Sequence, residues 1–417
     1  MSSCIRAVLS RLRPLPEDLQ SEMPSSVSDH DALSVERLCA GIDVPDSVLR
    51  FEHVPGGEVV FGPGKLAVVG KKARDLGARR VLLVTDPGLR KAGHESRCIE
   101  YLKSEGLEVA IFDEVRENPT TRDVDRCVEA ARGHEIDLIV GLGGGSSMDT
   151  AKGANFILTN GGRMQDYWGV GKATKAMLPL IVIPTTSGTG SECQSFALIA
   201  DADTHMKMAC GDKKGAAAVA ILDPELTLTM PRAVTAHTGI DAIAHALETA
   251  VCNQRTDVSL SYSRIAWSLL NAGMESVLEL PSDLEARAKM QLGAAFAGTA
   301  IENAMLGAAH SCANPLSAHF QVIHGEAVGV MLPHVIRFNS QNSEAAAIYE
   351  QLGGTNLADR VTELLELCGM KTNLGSLGVT EDQIPGLSVE AAKQWTAQFN
   401  PVMPGAAEME SLFRAAL

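Results

Sequence analysis

Short apolar runs alternate with helix-like segments along the first half of the chain. Six such runs lie between Phe51 and Asp223, are rich in β-branched residues, and are bounded by Gly, Pro or Asp. Continuous apolar strands that alternate with helices are typical of a parallel sheet covered on both faces. The pattern therefore predicts an α/β unit, with strands at residues 66–70, 80–85, 107–112, 137–142, 179–184 and 218–222.

The periodicity changes after Pro231, where Ala, Leu, Glu and Met recur with the 3.6-residue spacing of helices. The chain has 417 residues, whereas a single hydrophobic core stops growing at roughly 250–300 residues. We therefore expect two domains. The predicted division is a flexible N-terminal extension over residues 1–48, an α/β domain over residues 49–230 and a helical domain over residues 231–417.

Composition narrows the classes of function. The chain is 45% hydrophobic and 21% charged, with a formal net charge of −15, which indicates a globular protein with no basic surface for nucleic acid. No apolar run approaches the roughly 18 residues of a membrane span. Nine cysteines without CxxC spacing favour a reducing cytoplasm over a disulfide framework. Three arginines precede the first acid, as in some organelle-targeting peptides, but the acidic stretch that follows favours the cytoplasm.

A glycine-rich turn follows the predicted strand at 137–142. It runs from Gly143 to Asp149 and leads into a helix that contains Lys152. Glycines let a backbone approach a phosphate closely, and a helix N-terminus offers free N–H groups to an anion. The spacing fits neither the Walker pattern nor GxGxxG. A phosphate cradle and a plain tight turn both remain open.

Two further segments at strand ends are candidates for ligand contacts. Residues 184–192 are dense in hydroxyls and glycine, and hydroxyls at the carboxyl end of a strand commonly face the ligand crevice of an α/β sheet. An ordinary hydroxyl-rich turn is the alternative. Asp86 closes another strand, where its carboxylate could bind an adenosine ribose and repel a 2′-phosphate. Capping of the following helix is the competing interpretation.

A carboxylate and three imidazoles form a candidate metal site. Asp241 and His245 are four residues apart in a predicted helix, so both side chains project from one face. His310 and His324 follow in the same helical half. This oxygen and nitrogen set suits Fe²⁺ or Zn²⁺ better than Mg²⁺ or Ca²⁺, although each histidine could instead be an ordinary core residue. Such an ion would polarise a carbonyl during hydride exchange with a nicotinamide.

Taken in order, these motifs resemble the iron-containing, or group III, alcohol dehydrogenase family. The similar blocks are residues 143–152, 183–192, 223–248 and 324–339, and the resemblance runs from about Phe51 to Asn339. It implies a Rossmann-like NAD-binding domain followed by an all-α metal-binding domain, the dehydroquinate synthase-like architecture. It also implies Asp241, His245, His310 and His324 as metal ligands. Iron is the usual ion, and zinc occurs in some relatives.

The resemblance also implies a set of cofactor contacts. Those that would contact the dinucleotide are Gly144, Gly145, Ser146, Asp149, Thr185, Thr186, Thr189, Asn118 and Lys207. Asp86 matches the acid that excludes NADP in NAD-preferring members, so NAD is the expected cofactor. Gln194 and Ser195 correspond to positions near the substrate, and their polarity suggests a compact, hydrophilic alcohol or aldehyde. The family also suggests a homo-oligomer.

One position departs from the family pattern. Four residues after His310, many members carry a second histidine that is thought to relay a proton, but this chain has Asn314. An amide does not act as a general acid or base near neutral pH. The rival interpretations are a maleylacetate reductase, a glycerol dehydrogenase and a non-redox lyase of the 3-dehydroquinate synthase type. Retention of four ligands disfavours the first two, and the absence of a Lys/Arg cluster beside them disfavours the third.

Overall fold

The computed structural model describes residues 33–204 and 206–417, and strands occupy its first half. The strands are β1 Glu58–Phe61, β2 Arg80–Val84, β3 Glu108–Phe112, β4 Leu138–Gly143, β5 Gly169–Val170, β6 Leu180–Pro184, β7 Phe196–Ala200, β8 Lys207–Gly211 and β9 Val219–Leu222. The helices before residue 223 are α1 Val35–Leu38, α2 Asp46–Leu49, α3 Val69–Asp75, α4 Pro87–Ala92, α5 His94–Ser104, α6 Thr121–Ala131 and α7 Gly145–Asn160.

Six strands form one parallel sheet in the order β1-β9-β6-β4-β2-β3. Both faces of this sheet are buried. In β2, Val81 and Leu83 belong to one hydrophobic cluster, whereas Leu82 and Val84 point to the other side and belong to a second cluster. Successive strand residues face opposite sides, so continuous apolar runs are what a doubly covered sheet requires. The predicted α/β class is confirmed.

The strand predicted at residues 66–70 is wrong. Residues Lys65–Val68 form a 3₁₀ helix that leads into α3. The Asp223 carboxylate accepts hydrogen bonds from the backbone N–H groups of Gly64 and Leu66, at 3.1 and 2.9 Å, and so fixes the start of this turn. Leu66 and Val69 are fully buried. A short apolar run does not distinguish a buried strand from a buried helical turn. Here the contact with Asp223, which is distant in sequence, selects the helical turn.

A second sheet of three strands, in the order β5-β8-β7, was not predicted. β7 and β8 pair antiparallel, and β5 adds to the other side of β8 in parallel. The pair Phe196 and Gly211 starts the register, and a Cβ on Gly211 would lie 2.4 Å from the Phe196 ring. This close approach requires glycine.

The second half is helical and has its own core. Its helices are α8 Arg232–Val251, α9 Asp257–Glu279, α10 Leu284–Glu302, α11 Ala308–Phe320, α12 His324–Asn339, α13 Ser343–Gly353, α14 Leu357–Cys368, α15 Ile384–Ala392 and α16 Ala406–Ala416. The described helices include none that is long and apolar enough to cross a membrane.

The stretch before β1 packs onto the helical half. Leu38 and Val48, from α1 and α2, are buried in the same cluster as the residues of α8 to α10. The Phe51 ring stacks on Phe296 with ring centroids 4.5 Å apart. Residues 1–32 of the predicted extension lie outside the described residues.

Helix α10 joins the two halves. The Gln291 amide donates hydrogen bonds to the backbone oxygens of Pro184 and Asp223, at 3.2 and 3.4 Å. These oxygens lie at the carboxyl ends of β6 and β9, so this edge of the sheet faces the helical half. Ligands of open α/β sheets bind outside the carboxyl ends of the strands, which places the cleft between the two halves.

Candidate active site

One carboxylate and three imidazoles converge in the helical half. Asp241 and His245 lie one turn apart on α8, His310 lies in the first turn of α11, and His324 is the first residue of α12. The Nε2 atoms of His245, His310 and His324 lie 3.4, 3.4 and 3.8 Å from Asp241 Oδ1. The start of α12 presses against α8, because a Cβ on Gly325 would lie 2.0 Å from the His237 backbone oxygen.

The donor atoms fit a transition-metal ion. Asp241, His245 and His310 are buried and offer ligand atoms that all lie within 4.8 Å of one another, while the His324 side chain is 30% exposed. Asp241 Oδ1 and His310 Nε2 have no hydrogen-bond partner among the described residues. Donors of a tetrahedral site with bonds of about 2.0–2.1 Å are about 3.3 Å apart. The observed separations are close to this value, so an ion would satisfy the buried donors.

Glu248 orients one of these imidazoles and was missed by the sequence reasoning. Its buried carboxylate accepts hydrogen bonds from His310 Nδ1 and the Ala309 N–H, at 2.5 and 2.6 Å. In the neutral imidazole, this partner fixes the proton on Nδ1 and leaves the Nε2 lone pair turned toward Asp241. Glu248 lies two turns after Asp241 on α8, so its position on the same helix face was a signal that periodicity could have provided.

The electrostatics of the cluster reflect burial and close charges. Burial raises the pKa of Asp241, but the three imidazoles outweigh it and hold that pKa well below its usual range. Burial lowers the pKa of His245 to about 4, and partial burial together with the charges of Lys207 and the neighbouring imidazoles lowers that of His324 to about 3, although Asp241 opposes both shifts. Burial also lowers the pKa of His310, but Glu248 and Asp241 prevail and raise it to about 9. Two of the three imidazoles are therefore neutral at pH 7, which is the form that binds metal.

The glycine-rich turn lies at the end of β4 and opens α7. Gly143 has φ of 149°, which favours glycine, and its backbone oxygen accepts a hydrogen bond from the Thr185 N–H at 3.0 Å. A Cβ on Gly144 would lie 3.3 Å from the Thr186 side chain, and one on Gly145 would lie 2.7 Å from Thr189. The structure thus brings the two predicted cofactor loops into contact, at the N-terminus of a 16-residue helix.

Two other predicted cofactor residues, Asn118 and Asp149, form hydrogen bonds beside this turn. The Asn118 N–H donates to Ser146 Oγ at 3.3 Å, and Asn118 has a left-handed φ of 52°. Asp149 is buried on α7 and accepts a hydrogen bond from Ser191 Oγ at 2.8 Å. Lys207 is exposed at the start of β8.

Asp86 has two different environments for its two oxygens. Oδ1 caps α4 by accepting hydrogen bonds from the N–H groups of Gly88 and Leu89, at 2.8 and 3.2 Å. Oδ2 lies 3.4 Å from the position that a Cβ on Gly143 would take. The carboxylate is therefore a helix cap that also faces the glycine-rich turn.

The hydroxyl-rich loop continues toward the helical half. A Cβ on Gly188 would lie 2.6 Å from Thr238 Cβ, and Thr238 lies one turn before Asp241 on α8. This packing places the candidate cofactor loop beside the helix that carries the candidate metal ligands.

Of the residues expected near the substrate, Ser195 is already bonded within the protein. Its N–H and Oγ both donate to the Glu302 carboxylate, at 2.9 and 2.8 Å, and Ser195 is buried. Gln194 is half-buried and donates to the Thr189 backbone oxygen at 2.8 Å. Asn314, which replaces the family histidine, donates to the Gln394 side chain at 3.0 Å.

Comparisons with known proteins agree with this geometry. Two family models match, Iron-containing alcohol dehydrogenase over residues 56–224 and Fe-containing alcohol dehydrogenase family, C-terminal, over residues 235–417. Alcohol dehydrogenase 4 of Schizosaccharomyces pombe is 34% identical, and the match covers 86% of this chain and 87% of the relative. The NAD-dependent methanol dehydrogenase of Bacillus methanolicus is 33% identical over 86% of this chain and 97% of the relative.

A solved structure gives the same result. The crystal structure of a 1,3-propanediol oxidoreductase superposes with a TM-score of 0.83 at 34% identity, and the match covers 86% of this chain and 97% of the other. The matched family models together extend from residue 56 to residue 417 and include both the glycine-rich turn and the histidine cluster. The chain therefore belongs to the iron-containing alcohol dehydrogenase family.

Proposed function

We propose that this protein is a metal-dependent alcohol dehydrogenase that uses NAD(H). It would exchange a hydride between a small primary or secondary alcohol, or a diol, and its aldehyde or ketone. The observation that carries the proposal is the convergence of Asp241 Oδ1 with three imidazole Nε2 atoms. Relatives that act on methanol and 1,3-propanediol support a small substrate.

The proposed metal ligands are Asp241, His245, His310 and His324. Their mixed oxygen and nitrogen donors suit Fe²⁺, with Zn²⁺ as the alternative. When bound, the ion supplies a Lewis acid to the substrate oxygen, and the nicotinamide supplies or accepts the hydride. Glu248 keeps His310 in the tautomer whose Nε2 lone pair faces the site.

The proposed cofactor residues bind by backbone approach and by charge. A pyrophosphate would bind beside Gly144 and Gly145 at the N-terminus of α7, where free N–H groups and the helix dipole favour an anion. Asp86 Oδ2 would accept a hydrogen bond from an adenosine ribose hydroxyl and repel a 2′-phosphate, which favours NAD. The remaining proposed contacts are Asn118, Ser146, Asp149, Thr185, Thr186, Thr189 and Lys207.

Asn314 does not provide a path for the alcohol proton. Its amide bonds to Gln394 and neither takes up nor releases a proton near neutral pH. The alcohol proton would therefore need a route other than Asn314, through ordered water or through the ribose hydroxyls of a bound cofactor.

Absorbance of reduced nicotinamide tests the proposal. Anaerobically purified protein is loaded with Fe²⁺ or Zn²⁺ and mixed with NADH or NADPH and a panel of short aldehydes, hydroxyaldehydes and ketones. We expect metal-dependent oxidation of NADH in preference to NADPH. The absence of turnover despite bound metal and NAD would refute the proposal and favour the non-redox lyase.

Two histidine variants test the ligand assignment. We expect His324→Ala to lose both metal retention and turnover. His134→Ala is the control, because His134 is exposed just before β4 in the α/β half. Full metal retention in His324→Ala would contradict the assignment.

The remaining expectations are proposals of the same kind. We place the domain division at residues 230 and 231, since the described strands end at Leu222 and α8 starts at Arg232. We also propose a cytoplasmic homo-oligomer. The eight cysteines of the described part of the chain are free, as in a reducing compartment. Light scattering on the purified protein tests the oligomeric state.

A further inference from the structure

Lys152 is a fully buried lysine on the helix that opens with the glycine-rich turn. Its ammonium donates to four oxygens: the backbone oxygens of Ser191, Gln194 and Phe196, at 2.6, 2.8 and 3.0 Å, and Ser191 Oγ at 2.9 Å. A lysine has three N–H donors, so these acceptors already saturate it. Lys152 therefore has no donor left for a cofactor phosphate, although it follows a phosphate-cradle motif.

The four acceptors belong to one short segment, residues 190–196, which we name the strap. Ser191 lies at its centre, because its hydroxyl accepts a hydrogen bond from Lys152 and donates one to Asp149 Oδ1 at 2.8 Å. Lys152 and Asp149 lie one turn apart on α7. The helix that begins at the proposed pyrophosphate site thus holds the strap through two charged side chains.

The other side of the strap is held by α10. A Cβ on Gly298 would lie 2.3 Å from the Gly190 backbone oxygen, so the two backbones are in direct contact. One turn later on α10, the Glu302 carboxylate accepts both the N–H and the hydroxyl of Ser195. The strap is therefore fixed between a helix of the α/β half and a helix of the helical half.

The strap also adjoins the proposed cofactor loop. Thr189 immediately precedes it, and the Gln194 amide donates back to the Thr189 backbone oxygen at 2.8 Å. A shift of the strap would move Thr189 on the cofactor side and Gln194 on the substrate side together. Misplacement of reacting groups by about 1 Å can cost about 100-fold in rate.

We propose that Lys152 is a positioning residue, which holds the strap so that cofactor and substrate meet at the correct distance without contacting either one. The inference rests on the proposed alcohol dehydrogenase function. It predicts that loss of the ammonium lowers kcat more than it weakens cofactor binding, and that the strap becomes more mobile.

The test compares three variants with the wild type. Lys152→Met removes the ammonium at similar length. Ser191→Ala is milder, because it removes the shared hydroxyl and leaves the backbone acceptors to Lys152. Asn155→Leu is the matched control: Asn155 is also buried on α7, but its amide bonds to the backbone of Leu178, away from the strap.

The measurements are kcat, KM for the alcohol, the Kd of NADH by fluorescence, metal content, Tm, and hydrogen exchange of residues 188–198. For Lys152→Met we expect kcat to fall about 100-fold, with metal content and the NADH Kd near wild type and with faster exchange in the strap. Ser191→Ala should change the same parameters less. Asn155→Leu should lower Tm and leave kcat and strap exchange unchanged.

Three results would overturn the inference. One is a Lys152→Met protein with wild-type kcat and wild-type strap exchange. Another is a loss of kcat in Asn155→Leu as large as that in Lys152→Met, which would reduce Lys152 to a general stabilising role. The third is a change confined to the NADH Kd, which would mean direct cofactor contact. If the wild-type protein showed no turnover, the proposed function would be refuted instead. Hydrogen exchange in the strap, compared between the wild type and Lys152→Met, would still test whether Lys152 holds this segment.

Discussion

Replacement of Glu248 by glutamine should weaken metal binding although the two side chains have nearly the same shape. The Glu248 carboxylate accepts one hydrogen bond from His310 Nδ1 and another from the Ala309 N–H. A glutamine amide offers a single acceptor oxygen, so its NH₂ group must face one of these two donors. If it faces His310, the imidazole proton moves to Nε2 and removes the lone pair that faces Asp241. If it faces Ala309, a buried N–H loses its acceptor.

The size of the effect follows from these two outcomes. Loss of an orienting partner typically costs 10- to 100-fold in metal affinity, which is about 1.4–2.7 kcal/mol at 1.36 kcal/mol per factor of ten. An unpaired buried donor costs about 1–3 kcal/mol of folding stability. Because Glu248 is almost fully buried, solvent does not replace either bond. We therefore expect a metal Kd about 10- to 100-fold weaker in Glu248→Gln, together with a lower Tm.

The assay is a Zn²⁺ titration of the metal-free protein against a competing chelator. Zn²⁺ is used because, unlike Fe²⁺, it is not oxidised by air. Glu95→Gln is the control, because Glu95 is also a buried glutamate but lies on α5 in the α/β half. The control should keep the wild-type metal Kd. A Glu248→Gln protein with the wild-type Kd would show that the carboxylate does not orient His310 for binding.

Three further predictions concern the cofactor site, stability and the proton path. Asp86→Asn keeps a good helix cap but removes the charge, so kcat/KM with NADPH should rise relative to NADH while Tm stays near wild type; unchanged cofactor preference would refute the role of the charge. Burial raises the pKa of Glu192 from 4.5 to about 7, against the opposing effect of Lys152. Between these two pH values the folded state keeps a proton that the unfolded state has lost. The free energy of unfolding should therefore fall as pH rises through this interval, by about 3 kcal/mol, and denaturant unfolding of Glu192→Gln should lack this slope. Asn314→Ala should leave kcat near wild type at every pH, because the amide exchanges no proton; a new pH dependence of kcat would contradict this.

The elements that periodicity predicted are those whose environment is uniform along the chain. The strands β2 and β4 are buried on both faces, so apart from Arg80 and the two glycines of β4 each position carries an apolar side chain, and the run is visible locally. The segment at 66–70 is also a short apolar run but becomes a helical turn, because Asp223, which follows the neighbouring strand β9 but is distant in sequence, caps it. The strands β7 and β8 pair with each other as a short antiparallel hairpin, and buried positions in each are interrupted by partly buried or exposed ones, so their environment is not uniform along the chain.

In the candidate site too, features set by local periodicity could be predicted, whereas those set by the packing of distant elements could not. The spacing of Asp241 and His245 predicts a shared helix face, because the helical repeat alone sets it. That His310 faces both Asp241 and Glu248 depends on how α11 packs against α8, which no local pattern specifies. Lys152 was visible only as a member of a motif, and its partners in the strap lie 39 to 44 residues away.

Asp86 shows why a structural and a functional interpretation of one residue need not exclude each other. A carboxylate has two oxygens, and here Oδ1 caps α4 while Oδ2 faces the glycine-rich turn. The cap fixes the side-chain rotamer, so in the proposed cofactor site the second oxygen would be held in place with little entropic cost on binding. On this proposal, the capping bonds would prepare the side chain for the cofactor. The variant Asp86→Asn separates the two roles, because it keeps the cap of α4 and removes the charge. Asp86→Ala would remove both at once, so a loss of preference for NAD could not be distinguished from a loss of order at the start of α4.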